Sequence, residues 1–267
     1  MKRRKKNSLR SACLIIIMIM ASAIGLALSA DNKERPAPPE PASDSHSAVN
    51  TPTEGRADRP LLQIDSLPDN LIELLEKNPE TRDFVLNYPL KKDAVFEIDL
   101  SEHLNSSSVP LFMQWDERWG YTHYAGELMG ISGCGPTCLS MVCVYLLHDA
   151  DYTPKYIAEF AERNGFSVSG NGSSWTLISD GGEALGLDIT EIPLVESRII
   201  NNLEVGNPII CVMGPGDFTT TGHFIVMTEY VDGNVKINDP NSKIRSEKLW
   251  NLSDIAHQIR NLWVCRT

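Results

Sequence analysis

The sequence predicts an α+β domain, with helices first and an antiparallel sheet after them. Three observations predict it. From residue 134 to residue 204 apolar residues recur at helical spacing. From Pro208 to Cys265 short apolar runs of strand length replace them, and Asp232-Gly233-Asn234 stands between two of those runs as a hairpin turn. Helices followed by hairpin-connected strands pack as helices on an antiparallel sheet. No internal repeat is present.

In chain order, the first thirty residues are an address. Lys2, Arg3, Arg4, Lys5, Lys6 and Arg10 precede an apolar run from Ala12 to Leu28, and Ser29-Ala30 gives way to Asp31-Asn32-Lys33-Glu34. A basic start, an apolar middle and small residues before a polar stretch make the pattern of a bacterial signal peptide. The alternative over 1–30 is an uncleaved membrane anchor, since the run falls just short of the roughly 20 residues of one spanning helix. With the bases inside, either version sends the rest of the chain outward. The protein is therefore expected to be secreted, or membrane-anchored on the extracytoplasmic side of a bacterium. It should touch membrane only through this N-terminal segment.

Residues 31–64 read as a disordered linker. Pro36, Pro38, Pro39, Pro41, Pro52 and Pro60 lie among Ala, Ser, Glu and Asp with almost nothing bulky to bury, so the segment cannot offset its ordering entropy. Residues 65–94 read as a helical hairpin. Leu71, Ile72, Leu74 and Leu75 form one apolar stripe, Asn78-Pro79-Glu80 breaks the helix, and Phe84, Val85 and Leu86 mark a second, ending near Tyr88-Pro89. The hairpin is expected to brace the main domain; a propeptide-like inhibitory role is the alternative.

The main domain spans 95–267. Val109–Trp115 is extended and leads through a loop at Tyr121–Tyr124 to Gly133-Cys134-Gly135-Pro136-Thr137. Pro136 sits where a first helical residue sits, and the helix after it is apolar nearly all round, hence buried. Further helices are expected at 154–163, 175–185 and 196–204, with a Gly/Ser loop at 170–174. Strands are expected at Pro208–Met213, His223–Tyr230, Val235–Asn238 and Asn261–Cys265. An amphipathic helix carrying His257 comes before the last of these.

Cysteine and histidine placement points to a nucleophile. Loss of the segment holding Cys13 leaves five cysteines, Cys134, Cys138, Cys143, Cys211 and Cys265, and an odd number in an exported chain asks for a free thiol. Four of them fall inside a buried helix or strands and read as core. A Cys211–Cys265 disulfide stays open, should those strands be neighbours. With no CxxC and no clustered His, zinc has no ligand set, and no metal or other cofactor is expected. Cys134 differs, since a thiol at a helix N-terminus meets free N–H groups that favour thiolate. Its flanking glycines would let a substrate backbone approach. The plainer reading is a turn before a core helix.

A thiolate needs a proton shuttle, usually His oriented by a carboxylate or amide. His46 lies in the linker and His103 in an upstream loop. His148 ends the buried helix roughly four turns from Cys134, His257 faces solvent, and His123 is a weak candidate in a flexible stretch. His223 opens an apolar strand after the Gly/Thr-rich loop 214–221, and Asp239-Pro240 ends the next strand. A hairpin there would set Asp239 beside His223; otherwise Asp239 merely closes a strand.

The order Gln114, Gly133-Cys134-Gly135-Pro136-Thr137, Gly222-His223-Phe224-Ile225-Val226 and Asn238-Asp239-Pro240 resembles the papain-fold cysteine peptidases, and specifically the bacteriocin-processing-peptidase-like family. The resemblance runs over roughly 105–267 and takes in Gly172-Ser173-Ser174-Trp175 and Leu185-Gly186-Leu187. It implies Cys134 as nucleophile, His223 as general base and acid, Asp239 as the residue orienting the imidazole, and Gln114 as side-chain donor to the oxyanion. The backbone N–H of Cys134 would be the second donor. Family members that process bacteriocins are fused to a transporter, and no transporter segment is present in this sequence, so the substrate does not carry over.

The expected activity is hydrolysis of a peptide or isopeptide bond through a cysteine thioester, on a peptide or cell-wall peptide substrate. A peptidyl or aminoacyl transferase would use the same residues, and an inactive surface binding module would keep only the fold. The first thirty residues carry six bases and no acid, so the chain beyond them moves from a net charge of −11 to −17. That balance excludes a nucleic-acid partner, whose phosphates need Lys and Arg.

Overall fold

Continuous apolar runs make strands that are covered on both faces, and the second half of the chain is built from them. The computed structural model describes residues 67–267. The expected signal peptide or anchor at 1–30, the whole linker at 31–64 with His46, and residues 65–66 of the expected hairpin lie outside the described residues. Among the described residues no helix is long and apolar enough to cross a membrane.

One six-stranded sheet contains β1 (Asp188–Glu191), β2 (Ile209–Met213), β3 (His223–Val231), β4 (Asn234–Asn238), β5 (Leu249–Trp250) and β6 (Ile259–Arg266). Its order is β1-β6-β2-β3-β4-β5, and every neighbouring pair is antiparallel. The four expected strands are all present, with Met213 opposite His223 and Val226 opposite Asn238. The two edge strands were not expected. They are short, and Asp188-Ile189-Thr190-Glu191 has one buried residue of four, which is how a charged edge strand avoids further pairing.

Side-chain alternation divides the core. Ile210, Val212, Phe224, Val226 and Cys265 face the helical side. Ile209, Cys211, Met213, Ile225 and Val264 face a second core under Ile199 and Leu203. Cys211 and Cys265 therefore point to opposite faces of adjacent strands, and both thiols are free. The open question of a disulfide between them is answered by the pleat.

Among the described residues six α-helices are longer than five residues. They are α1 (Asp69–Lys77), α2 (Arg82–Lys91), α3 (Cys134–Leu147), α4 (Pro154–Arg163), α5 (Ser179–Ala184) and α6 (Glu196–Glu204). Residues Gly135 to Val144 of α3 are all buried, as its apolar surface demands. The expected helix at 175–185 is broken into a 3-10 turn, Trp175–Leu177, and α5. The expected C-terminal amphipathic helix shrinks to Leu252–Ile255 and a 3-10 turn at Ala256–Gln258.

The α1–α2 pair joins at a 3-10 turn, Pro79–Thr81. Asn78 caps it by accepting from the Glu80 N–H at 3.1 Å, and Pro79 needs no donor at that position. Phe84 stacks on Tyr121 with centroids 4.5 Å apart, and the Tyr121 hydroxyl donates to the Phe84 carbonyl at 2.7 Å. A small third core forms there from Leu67, Leu71, Phe84, Val85, Tyr121 and Leu128.

Of the expected extended stretch Val109–Trp115, residues 109–113 carry no regular secondary structure and join no sheet, and Gln114 and Trp115 lie in a turn. Asn238 fastens it by donating from Nδ2 to the carbonyls of Val109 and Pro110, each at 3.0 Å. The Gln114 N–H completes the attachment on the Pro240 carbonyl at 2.7 Å. The end of β4 and the segment holding Gln114 are thus one unit.

Candidate active site

Helix α3 starts earlier than its proline suggests. A helical turn at Met129–Ser132 runs into it through Gly133, whose N–H donates to Met129 at 2.8 Å and whose carbonyl accepts from Thr137 at 3.0 Å. Cys134 is therefore the first helical residue and Pro136 the third. The missing proline N–H still costs nothing, because no donor of the first turn has a helical partner.

Both glycines beside Cys134 are buried, and their space is filled by the protein. A Cβ on Gly133 would lie 2.5 Å from the Met129 carbonyl oxygen, and one on Gly135 would lie 2.3 Å from Ser173 Oγ. Instead of admitting a substrate backbone, they let the 129–132 turn and the 172–174 loop close on the start of α3. Ser173 is held by the Tyr124 hydroxyl at 2.7 Å. This packing leaves Cys134 half-buried.

Burial alone would push the Cys134 thiol up, but opposing contacts outweigh it. The neighbouring His223 ring, and after it the backbone N–H groups of Phe224 and Gly135, favour the thiolate, so its pKa is lowered. His223 responds in the opposite direction. Burial disfavours its imidazolium, yet Asp239 and Cys134 raise it from the ordinary value near 6.5 to about 10. Both directions favour one charge distribution, a thiolate beside an imidazolium.

Asp239 is completely buried. Its Oδ1 lies 2.8 Å from His223 Nε2 and accepts from the Asn241 N–H at 2.8 Å. Its Oδ2 accepts from Arg245 Nε at 2.5 Å. Burial raises the carboxyl pKa, but the His223 charge and then Arg245 reverse this, and the net pKa is lowered. With Nε2 held by Asp239, the other ring nitrogen, Nδ1, is left for the sulfur. The hairpin β3–β4 thus brings His223 and Asp239 together, and α3 delivers Cys134 to them.

Gln114 is 2% exposed, and its amide is already engaged. Nε2 donates to the carbonyls of Gly130 at 3.0 Å and Ile131 at 3.1 Å, which accounts for both amide hydrogens. Oε1 has no partner. Gln114 is thereby tied to the turn that leads into Cys134, with its donors turned toward that turn.

The remaining histidines have other settings. His123 is exposed in a two-residue strand, and His103 packs edge-on against Phe112. His148 caps the end of α3 and contacts the Leu104 carbonyl through Nδ1 at 3.1 Å. Burial raises the pKa of Cys138 and Cys143 well above the ordinary thiol value. Cys211 shifts the same way, and burial pushes Cys265 up to about 12. Among the described residues no cluster of three or more His, Cys, Asp or Glu gathers as a metal site.

Arg245 is the site residue that sequence reasoning missed. It lies six positions after Asp239 in a short polar helix, α7 (Lys243–Glu247). No periodicity or motif marks it, and only the fold of the 240–245 turn brings its guanidinium back to the carboxylate.

A nucleophile, a shuttle and an oriented carboxylate on three elements can carry acyl transfer. The profile of the Peptidase C39 like family matches residues 106–265. Two solved structures are similar to the chain. One is the peptidase domain of Streptococcus ComA, a bi-functional ABC transporter involved in a quorum-sensing pathway. Its identity is 19%, with 50% of this chain and 89% of that one covered at a TM-score of 0.38. The other is a putative C39-like peptidase from Bacillus anthracis, at 14% identity, 64% and 98% coverage and a TM-score of 0.33. No curated protein sequence matches the chain.

Proposed function

Because the chain belongs to the peptidase C39-like family, we propose that it is a cysteine peptidase hydrolysing a peptide or isopeptide bond outside the bacterial cell. The observation that carries the reading is the buried His223–Asp239 pair, 2.8 Å apart, with pKa directions at Cys134 and His223 that favour thiolate and imidazolium.

In this reading the Cys134 thiolate attacks the scissile carbonyl carbon. His223 gives its proton to the leaving amine as the C–N bond breaks, which leaves a thioester on Cys134. A water then loses its proton to His223 as it attacks the thioester, and Cys134 departs as thiolate. Asp239 keeps the ring oriented throughout. The Cys134 N–H is free to donate to the oxyanion, being the first of α3. Gln114 becomes the second donor when its amide releases one of the two carbonyls it now holds.

The substrate is a peptide or cell-wall peptide, reached outside the membrane through export directed by residues 1–30. The test is a digest of varied peptides and cell-wall fragments by the full chain and by Cys134→Ala. Cleavage by the first alone, with a substrate acyl group found on Cys134 by mass spectrometry, is the expected result. Identical digests would remove the peptidase reading.

A further inference from the structure

The α1–α2 hairpin lies outside residues 106–265, the part of the chain matched to the family. Its polar contacts nevertheless run to the turn behind Asp239. Asn78 donates from Nδ2 to the Asn241 carbonyl at 2.5 Å and to Asn241 Oδ1 at 3.2 Å. Glu80 accepts from the Ser242 hydroxyl through Oε1. Through Oε2 it accepts from the N–H groups of Lys243 at 2.8 Å and Ile244 at 3.3 Å. One half-buried carboxylate therefore gathers three consecutive donors.

Those donors lie between Asp239 and Arg245 in the chain. Apart from His223, the described partners of the Asp239 carboxylate are the Asn241 N–H and Arg245 Nε. Ser246 adds a third tie, accepting from the Asp239 N–H at 2.8 Å. Both non-histidine donors to the carboxylate thus belong to the segment fastened by Asn78 and Glu80. From the other side the same turn is held by the Gln114 N–H on Pro240 and by Trp115 Nε1 on Asn241 at 3.3 Å.

We propose that the N-terminal hairpin is a working part of the site, and that Glu80 is a positioning residue fixing the 240–245 turn so that Asp239 meets His223. The inference rests on the reading of Asp239 as the orienter of His223. A site group must be held to within about 0.5 Å of its productive geometry, and side chains on loops hold it only when a supporting layer locks the loop. Glu80 supplies that lock from 162 residues away in the chain. A slack turn lets the carboxylate leave the ring; the imidazolium is then less favoured, and the thiolate loses its partner.

The test uses the full chain as wild type, Glu80→Ala, Glu80→Gln and Asn87→Ala. Asn87 donates to Glu117 at 2.8 Å, a hairpin contact outside residues 239–246. Three quantities are read: Tm, the pH profile of kcat/KM with kcat and KM separated, and the pH dependence of Cys134 alkylation. Glu80→Ala should lower kcat about tenfold with KM unchanged and move the basic limb to lower pH by roughly one unit. Glu80→Gln keeps an acceptor oxygen on the segment and should restore part of both effects. Asn87→Ala should lower Tm with the limb in place.

A Glu80→Ala protein that loses stability as Asn87→Ala does, with an unshifted limb, overturns the proposal. Where Glu80→Ala fails to fold, Glu80→Gln decides by the same comparison. The underlying reading fails separately: wild type without turnover and without a thiol alkylated fast near pH 6 sinks the peptidase assignment, and this inference with it.

Discussion

Cys134 and Cys138 stand one helical turn apart on α3, and the protein makes opposite groups of them. Cys134 is half-buried, and the His223 ring and backbone N–H groups of Phe224 and Gly135 lower its pKa. Cys138 is fully buried among apolar side chains, and burial raises its pKa well above the ordinary value. The residue type is the same and so is the helix. The difference comes from the first turn, where the N–H groups have no helical partners, and from what the sheet presents there. The donors around a thiol decide how readily it ionises, and four residues later the same residue type is a small hydrophobe.

Removing each sulfur is the harshest way to break that comparison. Cys134→Ala should abolish turnover while Tm stays within a few degrees. Cys138→Ala should keep activity and cost about 1–2 kcal/mol of stability in denaturant unfolding, as a small truncation in a packed core. Exchanged phenotypes would place the nucleophile one turn too early.

Gln114→Ala sharpens the question of what the first turn needs. As an oxyanion donor Gln114 is worth roughly 10²–10³ in kcat, with alkylation of Cys134 by a small reagent unchanged, since alkylation forms no oxyanion. If the amide only ties down the carbonyls of Gly130 and Ile131, the variant should lose Tm and slow both reactions together. Steady-state kinetics beside iodoacetamide kinetics separates the outcomes.

Asp239→Asn is the next smaller perturbation. The resemblance to papain-fold enzymes implies that an Asn amide can orient the imidazole as a carboxylate does, but Arg245 alters the expectation. With the amide oxygen kept toward His223 and Asn241, its N–H₂ would face Arg245 Nε, donor against donor. Activity should fall roughly 10- to 100-fold, the worth of one charge-assisted hydrogen bond. Adding Arg245→Gln supplies an acceptor and should recover part of the loss. Neutralising Asp239 also removes the charge that raises His223, so the basic limb of kcat/KM should move to lower pH. A double variant no better than the single one would leave Arg245 without influence on the site.

The mildest test leaves the chain intact. The lowered Cys134 pKa keeps thiolate present on the acid side of the ordinary thiol range, so one equivalent of iodoacetamide should react fast near pH 6. The other four cysteines of the described residues, buried and shifted upward, should stay unlabelled until the protein unfolds. Peptide mapping identifies the labelled residue. Labelling of Cys138 at that pH would erase the contrast between the two turns.

The sequence by itself determined the α+β class, the four long strands and the buried helix, because these follow from local periodicity and turn chemistry. It also marked Cys134, His223 and Asp239, since each sits at the end of an element with glycine or proline beside it, where a buried fold can show a polar group. Tertiary structure alone decided the rest. The turn at Met129–Ser132 carries α3 back to Cys134, and the pleat sends Cys211 and Cys265 to opposite faces. The carbonyls of Gly130 and Ile131 take the Gln114 amide, and the 240–245 turn folds Arg245 onto Asp239 while Glu80 holds that turn from the hairpin. The hydrogen bonds of Gln114, Arg245 and Glu80 have partners set by the path of the backbone in space, and a polar side chain carries no mark in the sequence of which distant group it will meet.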